Sequence, residues 1–300
     1  MIDVWKPHKR YLMSTYKINF DQWQQDASIS GLLDALERGF EKFNIDFYLI
    51  GALARDTWMG MNDKRPKRAT KDVDFAILIP NTKTFNELKE YLIKEEEFNP
   101  YHENAFVLIW KDGTQVDLLP FGDIEDNGVV KVEGRGHTSI NVDGIREVYE
   151  KGLPEVEIES GNTFKFCTLP GLVLLKLIAW NDRPEMRSKD ILDISDILNN
   201  YFDIHSEEIY NNHIDLFDNE AAELIDIAAM VMGRELGAIL KKNKAITSRV
   251  IRILEENTND SKNSRLAELM TQYFDNSIEE NIKVLKSIIR EIQSALQSDN

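Results

Sequence analysis

From residue 28 the chain falls into a helical pattern. Leu32, Leu33, Leu36 and Phe40 recur at three- and four-residue spacing, with Asp34, Glu37 and Lys42 between them. A short apolar run, Phe47–Ile50, follows and breaks at Gly51; the small residues from Ala52 to Arg55 open a short helix that ends near Gly60. Beyond a polar loop, 72–79 alternates as a strand that starts Asp72-Val73-Asp74-Phe75. Its period of two sends both aspartates to one face and Val73 and Phe75 to the other. Pro80-Asn81 then turns the chain into an amphipathic helix over 84–93. Two strands, 105–110 and 114–119, are joined by Lys111-Asp112-Gly113, and Asp-Gly between apolar runs signals a hairpin. Asp117 lies among Val116, Leu118 and Leu119, where it is either a site carboxylate or a turn-capping residue beside Pro120.

The stretch 122–165 is rich in glycine and reads as loops, ending in a short hairpin of 156–158 with 163–167. Thr168 then caps a helix with Pro170 in its first turn, the one place where a helix accepts proline. That helix carries Leu172, Leu175, Lys176 and Ala179 and stops at 181–184; a second covers 186–201. Everything after Ser206 reads helical, most clearly 221–240 and 278–296, with a polar loop at 257–263. The fold class is therefore α/β in the α+β sense, a small mixed sheet flanked by helices and followed by a helical domain. The expected division is an N-terminal arm over 1–26, a core domain over 27–167 and a helical domain over 168–300. The arm holds Trp5, Tyr11, Tyr16, Phe20 and Trp23, and reads either as a docking arm or as a packed segment.

Composition narrows the function classes. The 300 residues carry a net charge of -16, which argues against broad binding to a nucleic-acid backbone. Lys64, Arg65, Lys67, Arg68 and Lys71 nevertheless form a local basic patch beside the aspartates, suited either to solvent or to phosphates. No apolar run is long enough to span a bilayer, so no membrane partner is expected. The lone Cys167 cannot form an internal disulfide, and a cytoplasmic location is the default. In its apolar run it reads as a small core residue.

Asp72, Asp74 and Asp117 on two neighbouring strands form a candidate metal clamp for Mg²⁺ or Mn²⁺, hard ions that take oxygen ligands. The helix start at Gly51 and Ala52 offers backbone N–H groups and a positive dipole end to phosphates. In such a site the metals bridge the phosphates of an NTP, and Asp117 accepts the proton of an attacking hydroxyl.

The runs GALARD, TKDVDF and QVDLLPF resemble the DNA polymerase β-type nucleotidyltransferase superfamily. GALARD also resembles the GGxVRD opening of tRNA CCA-adding enzymes at Gly51, Arg55 and Asp56. Ala52 stands where those enzymes have a second glycine and others a serine, so the turn stays tight but offers no hydroxyl. Further on, LLKLIAWNDRPEMRSKDILDISDIL resembles the later motifs of AbiEii/AbiGii-type abortive-infection toxins, at Lys176, Leu177 and Ala179, then Arg183 or Arg187, then Lys189, Asp190 and Asp193. The resemblance covers about 45–200. It implies that Lys176 contacts the triphosphate and that Lys189, Asp190 and Asp193 complete a nucleotide site with Gly51, Ala52 and Arg55. Taken alone, Lys176 is a snorkelling helix lysine, Lys189-Asp190 a surface pair, and Arg55 a structural partner of Asp56 or another acid.

The implied activity moves an NMP from an NTP to an acceptor RNA, such as a tRNA end, or to a protein, in a toxin or phage-defence role with a possible cognate antitoxin. Two alternatives stand beside it. One is an antibiotic nucleotidyltransferase, for which an acidic chain would suit a cationic aminoglycoside. The other is a nucleotide-binding module without turnover, which would have no chemical need for Asp117.

Overall fold

The structure, a computed structural model, describes residues 16–18, 29–62, 64, 72–158, 163–218, 223–260 and 262–297. Of the expected arm only β1 (Tyr16–Ile18) is described, and of the basic patch only Lys64; the others lie outside the described residues. Helix α1 (Ile29–Lys42) is followed by β2 (Phe47–Ile50), α2 (Gly51–Gly60), β3 (Asp72–Leu78) and α3 (Thr82–Glu95). Then come β4 (Asn99–Pro100), β5 (Val107–Ile109) and β6 (Gln115–Phe121). These strands form a mixed sheet in the order β2-β3-β6-β5-β4. β3 and β6 are parallel and the other pairs antiparallel, so the chain crosses over between them through α3 and the β4–β5 hairpin.

The two faces of this sheet differ. Val73, Phe75 and Ile77 are buried, with Phe40 of α1 packed 5.9 Å from the ring of Phe75. The opposite face carries Tyr48 and Ala76, which pair across β2 and β3, and then the aspartates. Its lower half is closed by α4 (Ile145–Lys151), because the Tyr48 hydroxyl donates to the Ile145 carbonyl at 2.8 Å. Toward the other end of this face Asp72 is exposed and Asp74 and Asp117 are half-buried.

The glycine-rich stretch is more ordered than its composition predicts. It contains a hairpin, β7 (Val129–Lys131) with β8 (Ser139–Asn141), as well as α4. Gly128, Gly144 and Gly152 take positive φ at the ends of these elements, so the glycines punctuate them. The expected final hairpin is β9 (Glu155–Ile158) with β10 (Thr163–Lys165), and β1 joins β9 in parallel. Strand β6 also runs two residues further than expected, through Pro120 to Phe121. In β5, by contrast, only 107–109 of the expected 105–110 are strand.

Thr168 caps α5 (Leu169–Asp182), accepting a hydrogen bond from the Gly171 N–H. Helix α6 (Ser188–Asn212) is longer than the pattern suggests and bends at His205, whose backbone is not helical. A 3-10 turn (Ile214–Phe217) leads to α7 (Leu224–Leu240), α8 (Lys244–Glu256), α9 (Arg265–Met270) and α10 (Ile278–Gln297). One apolar core continues from Ile29 to Ile292. The helical half is also pinned to the first half by polar contacts: Arg249 of α8 pairs with Asp143 and Asp182, and Asn243 donates to Glu147 at 2.7 Å. Cys167 is fully buried, and burial pushes its thiol far above the usual range, as befits a core residue. No helix among the described residues is long and apolar enough to cross a membrane.

Helices α7 and α10 run side by side, and glycine sets their separation. A Cβ on Gly233 would lie 2.6 Å from the Ile288 carbonyl oxygen, and one on Gly237 2.7 Å from the Ala295 Cβ. Helix propensity alone would favour alanine by about 1 kcal/mol. Because backbone cannot yield as a side chain can, overpacking at about 1–3 kcal/mol should outweigh that gain. Gly233→Ala is therefore expected to destabilise the protein in urea unfolding, and a raised midpoint would show that α10 can move away.

Candidate active site

The site starts where β2 turns into α2. Gly51 has φ of +68°, which favours glycine, and a Cβ there would fall 1.9 Å from the Asp74 Oδ2. Two separate demands thus meet on one residue. Ile50 lies opposite Asp74 in the β2–β3 register, so the carboxylate is held against the first turn of α2. Ile50, the residue before the helix, has no side chain that can cap that turn, and the turn's N–H groups and positive dipole end face the carboxylate region. Ala52 is the second residue of the helix and keeps this approach narrow.

Register also gathers the three aspartates. Asp74 pairs with Asp117 across the parallel β3–β6 ladder and Asp72 with Gln115, so all three side chains leave the same face. Asp117 is the third of seven residues in β6, a mid-strand position that a turn-capping residue would not occupy. The Gln115 amide donates to its Oδ1 at 2.8 Å. Burial raises the Asp74 carboxyl to about 7, aided by the charge of Asp117 and then Asp72, while Lys176 and Arg187 pull it back. Burial likewise raises Asp117, with the Gln115 hydrogen bond opposing and Asp72 adding to the rise.

Among the described residues no three acidic, histidine or cysteine side chains are yet drawn close enough to enclose an ion. The donor chemistry nevertheless fits Mg²⁺ or Mn²⁺: the available groups are all carboxylate oxygens, two of them side by side in register. Asp72, Asp74 and Asp117 are the residues that would hold the ion.

The remaining candidates form a chain of ion pairs beside this face. The Arg55 Nε and Nη2 donate to Asp56 Oδ1 at 2.7 and 2.6 Å, and its Nη1 pairs with Asp193 Oδ1. The Lys176 ammonium lies 2.7 Å from Asp193 Oδ2 and 3.1 Å from Asp190 Oδ1. Asp190 Oδ2 in turn meets the Arg187 guanidinium at 3.3 Å. Arg187, Asp190, Asp193 and Asp196 recur every third residue, so each neighbours the next from the start of α6 onward. Burial lifts Asp56 to about 6 in spite of Arg55.

Arg55, Lys176, Asp190 and Asp193 are thus brought together, and of the two candidate arginines it is Arg187 that joins them. Arg183 and Lys189 are exposed and pair with none of the described residues. The sequence reading passed over Asp196, which accepts from the Tyr273 hydroxyl of the segment after α9. The three-residue repeat was its available signal.

Because folding holds the Asp74 proton to higher pH, the folded chain binds more protons than the unfolded chain between 3.8 and about 7. Stability of the metal-free protein therefore falls as pH rises through that window and stays lower above it. Asp74→Asn removes this loss. In a chelator, it should unfold later than the parent above pH 7, by roughly 2–4 kcal/mol, with the gap closing toward pH 4. Parallel pH–stability curves for the two proteins would refute the burial of an ionised Asp74.

A search of curated proteins finds no match. Among solved structures, the solution structure of the antibiotic-resistance factor ANT(2'')-Ia is 12% identical, with a TM-score of 0.38, covering 78% of this chain and 100% of that one. A tRNA-processing enzyme is 11% identical, with a TM-score of 0.20, covering 87% of this chain and 93% of its own. Both are remote likenesses. The family described as nucleotidyl transferase AbiEii toxin, type IV TA system, matches residues 34–280, a span that holds both the aspartate face and the ion-pair chain. The chain belongs to the AbiEii family of nucleotidyl transferase toxins.

Proposed function

We propose that this protein transfers an NMP from an NTP to an acceptor hydroxyl on RNA or protein and releases pyrophosphate, as the toxin of a toxin–antitoxin or phage-defence pair. The observation that carries the reading is the placement of Asp74 opposite Asp117 on parallel strands, with Asp74 set against the N-terminus of α2. The first-turn N–H groups of α2 take the phosphates. Lys176 adds a point charge from α5. The acceptor oxygen bonds to the α-phosphorus as the bond to pyrophosphate breaks, and Asp117 takes the hydroxyl proton. Burial has moved Asp117 upward, toward the range where a carboxylate accepts a proton effectively. Asp72, Asp74 and Asp117 would hold a divalent ion, Mg²⁺ or Mn²⁺, which when bound would neutralise phosphate charge and make the hydroxyl more acidic.

Incubation with each labelled NTP, Mg²⁺ or Mn²⁺, and total cellular RNA or protein identifies the acceptor class. Labelled RNA or protein supports the reading. Label found only on an added aminoglycoside would replace it with an antibiotic nucleotidyltransferase, and binding without label would reduce the protein to a nucleotide-binding module.

Asp117→Asn keeps the side-chain size but removes the charge and the proton acceptor. It should lower transfer by at least ~10²-fold while Mg–NTP binding persists in calorimetry. Undiminished transfer would remove Asp117 from the mechanism.

A further inference from the structure

The ion-pair chain contains residues that a nucleotide cannot reach. Arg55 is 4% exposed, and Nε, Nη1 and Nη2 are all engaged by Asp56 or Asp193. Asp193 is buried too, and its two oxygens serve different helices: Oδ1 takes Arg55 of α2 and Oδ2 takes Lys176 of α5. A carboxylate so placed would also repel a triphosphate. Lys176 differs, because its ammonium has three protons and spends two of them, on Asp193 and Asp190. The third is left for a ligand.

We propose that Asp193 is a positioning residue that acts through Lys176: anchored by buried Arg55, it holds the ammonium at the aspartate face, and neither Arg55 nor Asp193 touches the nucleotide. A free lysine side chain has many rotamers, and ordering it on binding costs affinity. Here the order is imposed by folding. Asp193 grips at 2.7 Å, whereas Asp190 is at 3.1 Å and shares itself with Arg187 at 3.3 Å. Asp193 is therefore the anchor and Asp190 the looser guide. Because Arg55 sits one turn into α2 from Gly51, the same carboxylate ties the lysine to the helix whose N-terminus meets Asp74.

The proposal rests on the nucleotidyl-transfer reading for the ligand, but not for the geometry, and the test has one arm for each. In the first arm, the full chain without nucleotide is treated with trace acetic anhydride. Acetylation of Lys176 is measured by mass spectrometry against Lys83, which is exposed on α3. Asp193→Asn is expected to raise Lys176 labelling severalfold, and unchanged labelling overturns the proposal. In the second arm, Mg–ATP, Mg–GTP, Mg–CTP and Mg–UTP are each titrated by calorimetry into the parent, Asp193→Asn, Lys176→Met and the double variant. Asp193→Asn should weaken binding about tenfold, the usual scale for one charge-assisted hydrogen bond. In the Lys176→Met background it should weaken binding no further. Additive losses would mean that Asp193 contacts the nucleotide itself, and the proposal falls. If the parent binds none of the four nucleotides, the transfer reading fails while labelling still decides the positioning. Asp193→Asn leaves a buried guanidinium without a partner, so both arms are repeated in Arg55→Met/Asp193→Asn, where the same labelling rise and the same non-additivity are expected and their absence overturns the proposal.

Discussion

The structure turns on two carboxylates directly opposed across a parallel pair of strands. Asp74 and Asp117 share one register position, and Asp74 is further wedged against a glycine that no other residue can replace without displacing it. Burial of like charges in this way is costly, and apolar residues at both places would make a more stable sheet. The surrounding chain answers the cost. The positive end of α2 faces Asp74, and Lys176 and Arg187 approach from the helical half to draw its proton affinity back down. A sheet that needed only to fold would require none of these. The arrangement is the mark of a place where local stability has been given up for chemistry.

The helical half is therefore part of the site. Two of the cations that face the aspartates lie on α5 and at the residue just before α6, and both are held by the acids of α6. Those acids belong to a larger balance: Asp56, Asp190, Asp193 and Asp196 around Arg55, Lys176 and Arg187. Interior charges of this kind contribute little net stability when paired, and several kcal/mol are lost when one member is left alone. Their value is geometric. They set the distance between the α2 turn and the lysine of α5, which apolar packing alone would leave adjustable.

Much of this was legible because it is local. The apolar run before Gly51, the alternation of Asp72, Val73, Asp74 and Phe75, the Asp-Gly hairpin and the Thr168–Pro170 helix start each follow from residues close in sequence, and the structure has them all. The β7–β8 hairpin and α4 were not legible. Each is short, and glycines at 128, 144 and 152, which read as loop, mark their ends. The pairing of Arg55 with Asp193 spans 138 residues and has no local sign. Motif resemblance placed both residues at the site, and Arg55 was also readable as the partner of an acid; which acid only the fold shows. Choosing Arg187 over Arg183 required knowing that α6 begins at Ser188, which puts Arg187 one turn before Asp190.

The charge balance also bears on how an acidic protein attracts a polyanion. A net charge of -16 repels triphosphate and RNA at long range, so attraction must arise close to the site. The three cations beside the aspartates are already matched by carboxylates, and from a distance the cluster presents no positive field. Close in, two of the Lys176 protons are held by Asp190 and Asp193, and the Gly51 turn that opens α2 meets Asp74. On the proposed transfer reading, a phosphate chain would be recognised at short range, through the α2 N–H groups and Lys176, rather than by a long-range field. The proposed acceptor, if it is RNA, would then be drawn by contacts outside the aspartate face.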